Sequence, residues 1–106
     1  MFPFLAFSGK LDQSLVIKFN NFKNDIPCKT EITSGHRSKI HNKKVGGSSG
    51  SYHLKGKALD IIFYGCKVSL KDLGKIAKKY FNGVIVYPKH IHVDIRSKTY
   101  HSKGKY

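Results

Sequence analysis

A single carboxylate, Asp60, stands inside the apolar run Ala58-Leu59-Asp60-Ile61-Ile62-Phe63. The run has the length and composition of a central β-strand. Such a strand accommodates a charge only where a partner meets it. The fold therefore has to bring something to Asp60. His53 precedes it by seven residues, across Gly56, a pairing of the kind that holds a divalent metal. Far downstream, His90-Ile91-His92-Val93-Asp94-Ile95 alternates strictly. As a strand, this segment sends His90, His92 and Asp94 to one face and Ile91, Val93 and Ile95 to the other.

At 106 residues the chain has room for one domain with one core. The 40% hydrophobic content excludes wholesale disorder. The core is thin, however, and a bound metal would add stability. Lys and Arg total 20 against 6 acidic residues, a net +14 that favours polyanions such as nucleic acid, anionic lipid or the acidic polymers of a bacterial envelope. Only Arg37 and Arg96 are arginines, so specific reading of nucleic acid is not expected. Cys28 and Cys66 form no CxxC pair, which excludes a zinc ribbon and leaves open both a disulfide and two buried thiols. The apolar start, residues 1–8, is short, contains Pro3 and lacks a basic prelude. It reads as a segment packed on the core, not as a signal peptide or membrane span.

Leu11, Leu15, Val16, Phe19 and Phe22 recur at helical spacing, so Lys10 to Lys23 is expected to be a helix, stopped by Ile26-Pro27. Thr30 to Ser34 reads as a short strand. The Gly-, Ser- and Lys-rich stretch between Gly35 and Ser51 reads as a functional loop. Lys57 to Tyr64 is the central strand. Ser69 with Asp72 three residues later resembles a capping box and opens a second helix, expected to end near Asn82-Gly83. Gly83 to Tyr87 and His90 to Ile95 flank the turn Pro88-Lys89 as a hairpin, and residues 97–106 form a polar, basic tail expected to fray.

Zinc suits the donor set, because it accepts neutral imidazole and carboxylate from three protein ligands and leaves a fourth position for water. His53, Asp60 and one histidine of the last strand meet that need. Five blocks in order then carry a resemblance: Thr33-Ser-Gly-His-Arg-Ser38, His41-Asn42, Val45-Gly-Gly47, Ser51-Tyr-His-Leu-Lys-Gly-Lys-Ala-Leu-Asp60 and His92-Val-Asp-Ile-Arg96. Together they resemble the M15 zinc peptidases of the D-alanyl-D-alanine carboxypeptidase type, most closely a short subgroup found in bacteria and their phages.

The resemblance implies a small single α+β domain, helices packed on an antiparallel sheet, as in the D-Ala-D-Ala carboxypeptidase and hedgehog-like fold. It implies that His53, Asp60 and His92 bind one zinc ion, that Arg37 binds a substrate carboxylate or stabilises the oxyanion, and that Ser51 helps position substrate. His36 stands where relatives commonly have Tyr. Many relatives place an acidic general base three residues before the last ligand; here that residue is Lys89. Asp94 and His90 are the candidates for its role, and Asp94 has a second reading, orienting a ligand or pairing with Arg96. The implied activity is hydrolysis of peptidoglycan stem or cross-link peptides at D-amino-acid bonds, as carboxypeptidase or endopeptidase. The protein would be a monomer made in the cytoplasm and acting at the cell wall, carried by a virion or released at lysis. A noncatalytic zinc-containing wall-binding module is the alternative, and a basic nucleic-acid-binding protein a more distant one.

Overall fold

A computed structural model describes residues 11–35, 52 and 56–104. Its first helix, α1, spans Gln13–Asn24. Asp12 caps it, accepting a hydrogen bond from the Ser14 N–H at 2.8 Å. The Asp12 N–H in turn donates to the Gly56 carbonyl at 2.8 Å, docking the helix start on the turn that leads into the central strand. Gly56 sits at φ 68°, a conformation that glycine enters without steric cost.

The strands are β1 (Lys29–Ser34), β2 (Ala58–Tyr64), β3 (Gly83–Val86), β4 (Ile91–Asp94) and β5 (Tyr100–Lys103), with a second helix, α2 (Leu70–Ala77), between β2 and β3. They form one sheet in the order β1-β2-β4-β3-β5. Three pairings are antiparallel, but β5 runs parallel to β3, so the sheet is mixed where an antiparallel one was expected. The cause lies in the short return after β4. Both Asp94 and Tyr100 stand opposite Gly83, so β5 starts at the end where β4 finishes and necessarily follows the direction of β3. Within the expected basic tail, Tyr100–Lys103 is thus an ordered edge strand, tied by Tyr100 N–H to Asn82 O at 2.8 Å and Gly104 N–H to Val86 O at 2.9 Å.

Alternation divides the sheet into two faces. Leu59 and Ile61, Ile91 and Val93, and Val84 are buried with Leu15, Phe19 and Phe22 of α1 and Leu73 and Ala77 of α2. Phe22 lies at the centre of an aromatic group, edge-on to Phe63 and Phe81 at centroid distances of 6.2 and 5.9 Å. The other face carries Asp60, His92 and Asp94.

Ser69 caps α2 as the capping-box pattern predicts, accepting from the Asp72 N–H at 3.2 Å. The helix ends at Ala77, earlier than expected. Lys79 N–H then bonds Ile76 O and Tyr80 N–H bonds Ala77 O, a tightened last turn that carries the apolar face on to Tyr80 without continuing the α-helix. Cys28 and Cys66 form a disulfide just beyond the Lys29–Tyr64 pair that ends the β1–β2 ladder. The expected packing of residues 1–8, and the functional loop expected between Gly35 and Ser51, lie outside the described residues except for Gly35 itself.

Candidate metal centre

The register of β2 against β4 sets Asp60 directly opposite His92. Cross-strand partners share a face, and the flanking Leu59, Ile61, Ile91 and Val93 anchor both strands in the core. Asp60 Oδ1 lies 3.1 Å from His92 Nδ1, and both side chains keep only a sliver of exposure, 14% and 12%. This is the partner that the lone carboxylate of the apolar strand requires.

The other ring nitrogen of His92 is also engaged. Nε2 lies 2.7 Å from Asp94 Oδ2, and Asp94 is fully buried. Its carboxylate fits because Gly83 and Ala58 stand opposite it on the two neighbouring strands. A Cβ built on Gly83 would overlap the Asp94 carboxylate. Arg96 grips the same group with both prongs of its guanidinium, Nε to Oδ1 at 2.7 Å and Nη2 to Oδ2 at 2.6 Å, while its backbone N–H reaches Oδ1 at 3.1 Å. The guanidinium is itself flanked by the rings of Tyr52 and Tyr100, each with its centroid 4.8 Å away.

These contacts determine where the protons sit. Burial alone would raise the pKa of Asp94. The hydrogen bonds from Arg96, joined by that from His92, outweigh burial and hold the carboxyl well below the usual range. An ionised Asp94 can only accept, so Nε2 of His92 carries a hydrogen. In a neutral ring Nδ1 then turns its lone pair toward the Asp60 carboxylate, two acceptors face to face. Either a proton or a cation resolves that opposition. Burial by itself would lower the pKa of His92, but its bonds to Asp60 and Asp94 raise it.

The peptidase M15 profile matches residues 6–94. The chain belongs to the peptidase M15 family. No curated protein matches it significantly.

M15 peptidases are hydrolases and are generally zinc-dependent. The donors at hand fit that ion in one respect. Two ligands each about 2.0–2.1 Å from a tetrahedral zinc lie roughly 3.3 Å apart, close to the 3.1 Å between Asp60 Oδ1 and His92 Nδ1. The bond from Nε2 to Asp94 resembles the outer partner that ligand histidines ordinarily have, and it fixes the neutral tautomer with its lone pair at Nδ1. Among the described residues no group of three or more His, Cys, Asp or Glu side chains is arranged to hold an ion. Asp60 and Asp94 engage different nitrogens of one ring, so a single ion between Asp60 and His92 does not reach Asp94.

His53, Arg37, Ser51 and His36 lie outside the described residues. His90 is at the hairpin turn, its ring stacked on Tyr87 with centroids 4.4 Å apart, and its carbonyl accepts from the Tyr87 N–H at 2.9 Å. Lys89 is exposed in the same turn. The sequence reading passed over three contributors: Gly83, whose missing side chain makes room for Asp94, and Tyr52 and Tyr100, which flank Arg96. Tyr52 adjoins His53 within the block Ser51 to Asp60, which is the signal the sequence offers for it. Tyr100, in a polar tail, offered none.

Proposed function

We propose that the chain is a zinc-dependent peptidase of peptidoglycan, cutting stem or cross-link peptides at bonds to D-amino acids. The meeting of Asp60 and His92 at 3.1 Å, with the far nitrogen of His92 committed to Asp94, carries this reading. His53, Asp60 and His92 would hold the ion; Tyr52, against Arg96, brings the chain just before His53 to the site. Zinc in such a setting supplies a Lewis acid for the scissile carbonyl and a water whose pKa is near 7.

The chain's own groups do the rest. Asp94 keeps the His92 ring in one orientation and one tautomer, and Arg96 keeps Asp94 ionised and still. That commitment favours the orienting role of Asp94 over proton transfer. His90, two residues before His92, remains the candidate proton acceptor. Arg37 would bind the substrate carboxylate or the developing oxyanion, and Ser51 would help seat the peptide. The fold of D-Ala-D-Ala carboxypeptidases and a site of action at the bacterial wall belong to the same proposal.

A noncatalytic wall-binding module with the same zinc site is the second reading, favoured by the exposed Lys89 where relatives carry an acid and by the full engagement of Asp94. Digestion of purified peptidoglycan by the zinc-loaded protein, with and without chelator and with mass analysis of fragments, separates the two. Chelator-sensitive release of stem-peptide fragments is expected. Zinc binding without any release would leave the module reading standing.

A further inference from the structure

On the helix side of the sheet, away from Asp60 and His92, a cavity of about 460 Å³ opens between α2 and β5. Lys71, Lys75 and Lys78 line one wall, Lys103 the other, with Val86 and Pro88 between them. No acidic side chain is among its described lining residues. All four lysines are exposed. Asp72 approaches Lys75 at 3.8 Å, but both side chains are more than half exposed, and so open a pair competes weakly with a bound anion.

The spacing of the lysines is informative. Positions 71 and 75 of α2 and its C-cap Lys78 form one stripe, and like charges one turn apart disfavour a helix unless something neutralises them. The stripe extends over roughly 10 Å at about 1.5 Å per residue, longer than a single small anion. Gly74 lets the helix lie close on Val86, since a Cβ there would come 2.5 Å from Val86 Cγ2. The lysines are thereby held along the trough facing Lys103.

We propose that this groove binds a linear polyanion whose phosphates repeat along an unbranched backbone. Lysine is a point-charge partner for phosphate, and the described residues that line the groove include no arginine fork to read base edges. Of the rings among its described lining residues, Tyr87 is already stacked on His90 and the other is the small imidazole of His101, a poor platform for successive bases. The paired positions put Lys103 opposite Val86 and His101 opposite the core residue Val84, whereas Tyr100 stands opposite Gly83 on the face of Asp94. A chain in the groove leaves the other face of the sheet open. The inference is independent of the peptidase reading.

The test is calorimetric titration of the full chain with short-chain inorganic polyphosphate. The triple variant K71Q/K75Q/K78Q is compared with K18Q/K23Q/K67Q, which removes the same charge from exposed lysines elsewhere. Gln and Lys have similar helix propensity, so α2 is preserved, and circular dichroism verifies it. The groove variant should lose more than about tenfold in affinity and the control less than about threefold, with the slope of log K against log salt falling from about −3 toward −1 only in the groove variant. Equal losses in the two variants, or no binding by the unmodified chain, overturn the proposal. So does an oligothymidylate of the same length binding tenfold tighter than polyphosphate.

Discussion

Asp94 spends its whole hydrogen-bonding capacity on its neighbours, and this makes it the most sensitive single position of the site. Asp94→Asn removes the charge while keeping the shape; with His92 as the proposed ligand, it should lower zinc affinity about 10- to 100-fold, the usual cost of losing an outer partner of a ligand histidine, measured by competition with a chromogenic chelator. Gly83→Ala tests the same carboxylate from the other side. Arg96 prevents Asp94 from swinging away, so the added methyl should destabilise the fold by about 1–3 kcal/mol in urea titration. The sequence alone showed that Asp60 needs a partner, because a charge in an apolar strand always does. It could not show which residue stands opposite, since the register between β2 and β4 depends on how two strands some thirty positions apart slide past each other. Gly83 was equally hidden: as text it resembled a helix cap, and only the adjacent strand reveals it as space for a carboxylate.

Among the elements, those with a buried face were legible and the one without was not. α1, β2, β3 and β4 each put alternating or helically spaced apolar side chains into the core, so periodicity announced them. Tyr100–Lys103 is held by backbone hydrogen bonds at an edge and is mostly exposed, so no pattern of hydropathy marks it. The Ser69 cap was legible, and Ser69→Ala should cost about 1 kcal/mol of stability by chemical denaturation. The two helices are also linked beyond their ends, by the Tyr80 hydroxyl donating to Asp25 Oδ2 at 2.9 Å. That bond, more than partial desolvation, raises the pKa of Tyr80. A group raised in the folded state contributes stability below its unfolded pKa, near 10, and loses it as pH climbs through the folded value. The Tyr64 hydroxyl, which donates to Glu31, is raised as well, so ultraviolet titration should find tyrosine ionisation extending above the free-tyrosine range, and Asp25→Asn should bring the Tyr80 part of it down.

On the proposed zinc reading, two further constraints act on the whole molecule beside its thin core. An ion that binds only the folded chain adds about 2.7 kcal/mol at a hundred times its Kd, so saturating zinc should raise the melting temperature by roughly 10–20 °C in a domain of this size, reversibly on chelation. The disulfide acts on the unfolded chain instead: with its cysteines 38 positions apart, reduction should cost about 4 kcal/mol on the loop-entropy account. Whether the thiols pair could not be read from two isolated cysteines, because it depends on β1 and β2 bringing them together at the ladder's end. That link also has a topological consequence. Residues 28 to 66 form a covalent macrocycle, and Arg37, Ser51, His53 and Asp60 all belong to its circumference. A protease that cuts the backbone once anywhere inside it leaves a molecule of unchanged mass apart from one added water. The same nick separates into two fragments only under a reducing agent, and an oxidising surrounding would let a broken chain keep its parts together.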